Sequence, residues 1–234
     1  MKRGQGRMNV RVQNHFVICS YNYKAESIVK EIQKELPDAK IVLIADREEN
    51  PMIHKEGVYF VRGDSAREAI LEMAHVSKAS TVIILADSVM SDQLADAHSV
   101  LTTLAVKELN PTCRVVAESL DPENTHHLTH AGADEIVCIG DITARLISRS
   151  SIHRGMTHLV AELMSSNSGN ELYSVETPDH LVNLRFEDAF AEFRNKGAIL
   201  VGTYLDGRMI SNPPSDTILD KNAILIYIAN AQVI

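Results

Sequence analysis

The chain has 234 residues, 45% of them hydrophobic and 23% charged, a composition typical of packed globular proteins and unlike that of disordered or collagen-like chains. Its formal net charge of −8 repels nucleic-acid phosphates, and with no tryptophan and 5% aromatic residues it offers little for stacking bases. The longest apolar run, residues 81–86, is far shorter than the roughly 20 residues that a membrane span needs. Nucleic acid is therefore not an expected partner, and we expect no membrane span within this sequence.

Six short apolar runs alternate with helical patterns between residues 15 and 139. The runs are 15–19, 40–45, 58–61, 81–86, 113–117 and 135–139. They are continuous and rich in β-branched residues, as expected for strands that are buried on both faces. Strands that alternate with helices favour a doubly wound, Rossmann-like parallel sheet with right-handed crossovers. We therefore expect an α/β N-terminal lobe over residues 14–139.

The helical patterns between these strands have the 3.6-residue period of amphipathic helices. The longest places its larger apolar residues on one stripe, the side that such a helix normally turns toward the core. The stripe consists of Leu94, Ala97, Leu101, Leu104 and Ala105.

Residues 140–165 follow the last strand and predict a helix, a turn at Gly155 and a second helix. The segment has more apolar surface than one small lobe needs. It is either a helical cap on the sheet or a clasp between two copies or two lobes. The residues that we expect at a dimer interface are Ile142, Leu146, Ile147, Met156, Leu159 and Leu163.

A polar, turn-rich stretch at residues 165–170 predicts a linker to a second lobe. Beyond it the pattern becomes α+β, with strands at 172–175, 198–204, 208–210 and 223–228 and one helix that carries Phe193. The pair Asp206 and Gly207 between two strands predicts a type I′ hairpin. We expect a smaller α+β C-terminal lobe over residues 166–234.

The loop after the first strand is where an open parallel sheet binds ligands. A dinucleotide-binding fingerprint would place glycines at Ser20, Asn22 and Ala25, because the turn is tight and a pyrophosphate must approach the backbone. Among residues other than glycine, serine, asparagine and alanine obstruct the turn and the approach of a phosphate least. The loop can therefore still cradle an anion, although the fingerprint itself is absent.

Acidic residues follow the next strands at the same edge of the sheet. Asp46 is placed either to accept a hydrogen bond from a ribose hydroxyl or to cap the turn that follows. Arg47 either contacts a base or a phosphate or is an ordinary surface arginine. Asp64 and Asp87 suit ligand binding or helix capping. With Glu118 they form a rim that is either a Ca²⁺ or Mg²⁺ site or a solvated polar edge.

No catalytic motif is present: the sequence lacks a nucleophile elbow, a zinc-protease motif and a P-loop. We therefore expect a protein that is not an enzyme. The rival from another class is an NAD-dependent oxidoreductase.

Three stretches resemble the RCK domain, the regulator of potassium conductance that is also called TrkA-N. They are residues 15–19, the Gly-Asp-Ser at 63–65, and residues 121–137; residues 140–150 resemble its crossover helix. The tail, with residues 169–173, 206–208 and 212–214, resembles the accompanying TrkA-C lobe. The resemblance implies a cytoplasmic ligand sensor at the inner face of the membrane, attached to the pore of a prokaryotic potassium channel. It also implies dimers, commonly assembled into an octameric ring, and a ligand such as an adenine nucleotide, NAD(H) or Ca²⁺.

The chain departs from the RCK pattern in its site residues. The nucleotide loop has lost its three glycines, while Asp46 and Arg47 keep adenosine recognition open. The positions that hold calcium in calcium-gated members are similar to Leu85, Glu118 and Leu120 here, so Glu118 alone remains as a metal ligand.

The first thirteen residues are a basic segment, with Lys2, Arg3, Arg7 and Arg11 among them. They read as a juxtamembrane linker or as a tail. The nearest alternative function is a regulatory subunit of a Trk or Ktr potassium transporter.

Overall fold

The computed structural model describes residues 10–165 and 169–234, and the chain divides into two compact units after Leu146. Residues 1–9, with Lys2, Arg3 and Arg7 of the predicted basic segment, and residues 166–168 of the predicted linker lie outside the described residues. Within the two described ranges, no helix is both long and apolar enough to cross a membrane.

The N-terminal unit is built on six parallel strands. They are β1 (His15–Cys19), β2 (Ile41–Ala45), β3 (Val58–Arg62), β4 (Ala79–Ile84), β5 (Arg114–Ser119) and β6 (Glu135–Cys138). Their order across the sheet is β3-β2-β1-β4-β5-β6. This is the predicted doubly wound, Rossmann-like sheet, and it confirms the fold class.

Both faces of the sheet are covered, which is why its strands are continuously apolar. Side chains alternate between faces along a strand. Val17 and Cys19 of β1 pack into one core, whereas Ile18 between them packs into the other. All five residues of β2 are buried.

Helices connect most of these strands and continue past the last of them. They are α1 (Ala25–Glu35), α2 (Glu68–Met73), α3 (Asp92–Leu109), α4 (Thr125–Ala131), α5 (Ile139–Ile152) and α6 (Met156–Leu163). Gly155 precedes α6 with a φ of 88°, so the predicted helix-turn-helix after the sheet is present. Strand β4 ends two residues before the predicted boundary, since the Ala86 N–H bonds to the Glu118 side chain.

The large residues of the stripe predicted on α3 face outward, whereas Ala105 packs against the core. Leu94, Leu101 and Leu104 are 63%, 57% and 49% exposed. The helix instead buries small and polar residues: Ala95, Asp96, Ser99, Thr102, Thr103 and Val106. The hydroxyls of Ser99 and Thr103 donate to carbonyls four residues earlier in the helix, which satisfies them in the interior.

The C-terminal unit contains the smaller α+β lobe. Its strands are β7 (Glu171–Glu176), β8 (Ile199–Leu205), β9 (Arg208–Ser211) and β10 (Ile224–Ala229), in the antiparallel order β7-β10-β8-β9. Helix α7 (Phe186–Asn195) packs Phe193 on Tyr227 of β10, with ring centroids 5.0 Å apart. Asp206 and Gly207 join β8 to β9 with φ values of 50° and 74°, as the predicted hairpin requires.

Candidate functional site

The strand order creates a crevice at one edge of the parallel sheet. The chain winds to one side through β2 and β3 and to the other through β4, β5 and β6, so the connections diverge between β1 and β4. Ligands of doubly wound sheets bind beyond the carboxyl ends of the strands at this point. The loops that follow β1, β4 and β5 meet there.

Ser20 begins the loop after β1 in a left-handed backbone conformation, with a φ of 68°. Its N–H donates to the Ile44 carbonyl at 2.9 Å, and the residue is buried. Glycine adopts this conformation freely, whereas other residues incur a cost of roughly 1–2 kcal/mol. The loop therefore turns at the first predicted glycine position with a serine under strain.

Four residues close a hydrogen-bonded circuit across the crevice. The Asn22 amide nitrogen donates to the Ala86 carbonyl at 2.9 Å, and the Asn22 Oδ1 accepts the Lys24 N–H at 2.9 Å. The Lys24 ammonium is paired with Glu118 Oε1, and Glu118 Oε2 accepts the Ala86 N–H at 3.1 Å. We call these residues, Asn22, Lys24, Ala86 and Glu118, the crevice circuit.

The crevice circuit bears directly on the metal ligand expected at Glu118. The Glu118 side chain is 4% exposed, and both its oxygens already have partners. Across the described ranges, no group of three or more His, Cys, Asp or Glu side chains is arranged to hold a metal ion. The residues present therefore do not fit a calcium site of the kind that the resemblance implies. The positive charge beside Glu118 comes from Lys24.

Asp46 and Arg47 lie after β2, on the rim of the same sheet edge. The Asp46 side chain is 77% exposed, with Arg62 Nε 3.8 Å from its Oδ1. The Arg47 guanidinium lies over the Tyr21 ring, 5.5 Å from its centroid, and the Tyr21 hydroxyl donates to Glu26 at 3.0 Å. Asp46 thus presents a carboxylate to solvent, and Arg47 rests on an aromatic ring of the first loop.

Asp64 and Asp87 are engaged in turns. Each accepts the backbone N–H two residues later, from Ala66 at 2.9 Å and Val89 at 3.1 Å. They hold the loops ahead of α2 and α3, whose N-cap positions are other residues.

Asp64 also has a side-chain partner in α3. Its Oδ1 lies 2.7 Å from His98 Nε2, and Arg67 Nε is 3.5 Å from its Oδ2. Partial burial raises the pKa of Asp64, but the bonds from His98 and the Ala66 N–H and the charge of Arg67 together set it below its ordinary value. Asp64 is therefore held as an anion.

Comparisons with known proteins bear on this sheet and its crevice. The model of the TrkA-N domain matches residues 16–139, which span β1 to β6. The chain belongs to the TrkA-N domain family. The match stops at residue 139, so the likeness of the C-terminal lobe to TrkA-C stays a prediction.

Two curated relatives of this TrkA-N chain are potassium channels. The calcium-gated potassium channel TvoK of Thermoplasma volcanium is 30% identical over 188 residues, 79% of this chain and 53% of the relative. Potassium channel protein 1 of Methanocaldococcus jannaschii is 26% identical over 220 residues, 92% of this chain and 63% of the relative. The chain spans less than two thirds of the length of either.

One solved structure, that of the human SLO3 gating ring, matches with a TM-score of 0.70 over 93% of this chain and 44% of that chain. The sequence identity is 17%. The likeness therefore concerns the fold of the two units.

The two helices that follow the TrkA-N sheet have no buried residue. Among the predicted interface residues, Ile142, Ile147 and Leu159 are 53%, 66% and 49% exposed, and the others are half-buried: Leu146, Met156 and Leu163. An apolar surface of this kind normally marks a contact with another molecule. Their role at a dimer interface stays a prediction.

Two important residues were not identified from the sequence. Lys24 has no local signal in the sequence, because its partner Glu118 lies 94 positions away in the chain. Asp96 of α3 is 1% exposed and accepts bonds from the loop after β5, whereas Asp92, one turn earlier on the same helix, is exposed. The buried neighbours of Asp96 on α3 are small residues, a signal that the helix turns this face inward.

Proposed function

We propose that this chain is a ligand-sensing gating-ring domain that controls potassium conductance through a membrane-embedded channel pore. The observation that carries the proposal is its membership of the TrkA-N family together with relatives that are potassium channels. The domain lies on the cytoplasmic side, at the inner face of the membrane, and performs no chemistry of its own. A ligand gates such a ring only if it binds the open and closed forms unequally.

The ligand of the crevice is an adenine nucleotide or NAD(H). Asp46 offers an exposed carboxylate for ribose hydroxyls, and Arg47 lies beside it for the base or a phosphate. Ser20 and Asn22 shape the loop beneath the phosphates, while Asp64 and Asp87 hold the neighbouring loops. Calcium is the weaker candidate, because Glu118, the buried carboxylate of the crevice circuit, is paired with Lys24.

Two apolar faces support self-association. The helices α5 and α6, within the proposed crossover segment 140–165, form a homodimer through Ile142 and Leu159. The exposed stripe of α3, with Leu94, Leu101 and Leu104, is a second face. A single self-complementary face stops at a dimer, whereas two faces let dimers close into a ring, here an octamer.

Ligand binding is tested by thermal-shift titration of the purified chain with ATP, ADP, AMP, NADH and Ca²⁺. A ligand present at 100 times its Kd should add about 2.7 kcal/mol of stability, which at about 2–4 °C per kcal/mol for a chain of this size is a shift of about 5–11 °C. We expect a shift with an adenine nucleotide that Asp46→Ala removes, and none with Ca²⁺. A shift with Ca²⁺ alone would contradict this assignment of the ligand.

Control of conductance is tested in a chimaera that places residues 10–234 behind the pore helices of the Thermoplasma volcanium relative, reconstituted in liposomes. We expect potassium flux to change when the nucleotide is added, and Asp46→Ala to abolish the response. Unchanged flux at saturating nucleotide would refute the regulatory role. Steady-state oxidation of NADH by the purified chain would favour an oxidoreductase instead.

A further inference from the structure

We propose that Lys24 is the residue that binds the phosphate of the ligand, and that Glu118 holds the Lys24 ammonium until that phosphate displaces it. This inference rests on the proposed function, because it concerns the ligand of the same crevice. Without ligand, the Glu118 carboxylate takes the place beside the Lys24 ammonium that the phosphate takes in the complex. The ligand class is a phosphate-bearing anion with at least two phosphates.

The two partners of the ion pair differ in their freedom to move. The Glu118 side chain is 4% exposed and is fixed at its second oxygen by the Ala86 N–H, whereas the Lys24 side chain is 25% exposed. Lysine carries its charge on a flexible four-carbon stem. Lys24 is therefore the partner that can leave, and Glu118 is the one that stays.

The ammonium that is paired with Glu118 also lies near an exposed aromatic ring. The Lys24 Nζ lies 5.1 Å from the centroid of the Tyr23 ring, and Tyr23 is 82% exposed. An ammonium at this distance from an aromatic face is favourably placed. The ammonium thus has a second, exposed partner that it does not have to give up when it leaves Glu118.

The charges of the crevice circuit explain why displacement needs a strong anion. An incoming phosphate meets the buried Glu118 carboxylate, and Lys24 is the one cation in the loop from Ser20 to Lys24. The phosphate must compete with a carboxylate that is already in contact with the ammonium. A diphosphate or triphosphate carries enough charge to do so, whereas uncharged adenosine does not. We therefore expect ATP and ADP to bind more tightly than AMP, and adenosine to bind weakest.

A double-mutant cycle tests the competition. Glu118→Gln keeps an oxygen for the Ala86 N–H but releases the ammonium, and we expect ATP to bind about tenfold more tightly, since charge-assisted bonds are worth at least one order of magnitude in affinity. Lys24→Met should weaken binding by a similar factor. In the Lys24→Met background, Glu118→Gln should have little further effect, because no ammonium remains to be released.

Titration calorimetry with ATP and with inorganic pyrophosphate supplies the affinities, and melting temperatures show that each variant is folded. Glu123→Gln, an exposed carboxylate further along the loop after β5, is the control for a change of one net charge. If Glu118→Gln does not fold, Glu118→Asp replaces it. This variant shortens the side chain by one methylene group, loosens the ion pair, and should also tighten binding.

The outcomes separate this inference from the proposed function. Binding that appears only in Glu118→Gln supports the competition, even if the natural chain binds neither probe. If Glu118→Gln tightens ATP binding equally in the natural chain and in the Lys24→Met variant, the proposal is overturned. The Glu118 charge would then repel the anion directly and would not act by holding the ammonium. Absence of binding to both probes in every variant overturns the proposal as well. Potassium flux and self-association are measured separately and decide the regulatory role.

Discussion

Replacement of the buried Asp96 by alanine should cost the N-terminal unit about 3–4 kcal/mol of stability. Its carboxylate accepts the Leu120 N–H at 2.9 Å, the Asp121 N–H at 3.0 Å and the Asn124 amide at 2.8 Å, with the Ser119 hydroxyl at 3.3 Å. Hydrogen bonds to a charged group are worth about 1.5–3 kcal/mol each. The three short bonds alone would exceed our value, but their donors are half-buried residues that water can reach after the substitution.

The measurement is denaturant unfolding of the Asp96→Ala variant, together with hydrogen exchange at the Leu120 and Asp121 amides. Asp92→Ala is the matched control, one turn earlier on α3 and exposed, and it should change stability by less than about 0.5 kcal/mol. We expect the two amides to lose protection only in Asp96→Ala. A loss below about 1 kcal/mol with both amides still protected would refute the reasoning, because the loop after β5 would then hold its shape without the carboxylate.

Three further predictions concern the strained turn, a buried histidine and the crossover helices. Ser20→Gly should stabilise the unit by about 1 kcal/mol in thermal melts, because glycine relieves the left-handed strain; a lower melting temperature would contradict this. Burial outweighs the bond to the Ala74 carbonyl and lowers the pKa of His15 below its ordinary value of about 6.5. The stability of the fold is therefore fully present above about pH 6.5. It decreases as the pH is lowered, because the unfolded chain then binds a proton more readily than the folded chain. Between pH 7.5 and 5.5 the denaturant midpoint of His15→Gln should therefore fall less steeply than that of the natural chain. If the two midpoints fell in parallel, His15 would not be the source of this pH dependence. Ile142→Arg should yield monomers in sedimentation velocity, whereas Ser148→Arg, on the opposite side of α5, should leave the dimer intact.

The strands were predictable because burial on both faces leaves an unambiguous pattern. The six apolar runs became β1 to β6 with boundaries within two residues, and Asp206 with Gly207 gave the expected hairpin. Helix α3 was not predictable in the same way. Its large residues, such as Leu101, are exposed, and its buried side is made of alanine, serine and threonine. A period of 3.6 residues identifies a helix, but it does not show which side of the helix lies on the sheet. Where a helix packs closely on the sheet, small residues are needed on the buried side, and the large apolar residues then lie elsewhere.

The loops that meet at the crevice followed from the sheet order, but the partners of their side chains did not. Pairs such as Lys24 with Glu118 and Asp64 with His98 join a loop to a strand or helix that is distant in sequence, and no local pattern predicts them. They change what each acidic residue can do. Glu118 and Asp64 are already paired within the chain, whereas Asp46 is 77% exposed and has Arg62 only at 3.8 Å. Asp46 is therefore a carboxylate that a ribose hydroxyl can reach without breaking a strong internal contact, which Glu118 and Asp64 are not.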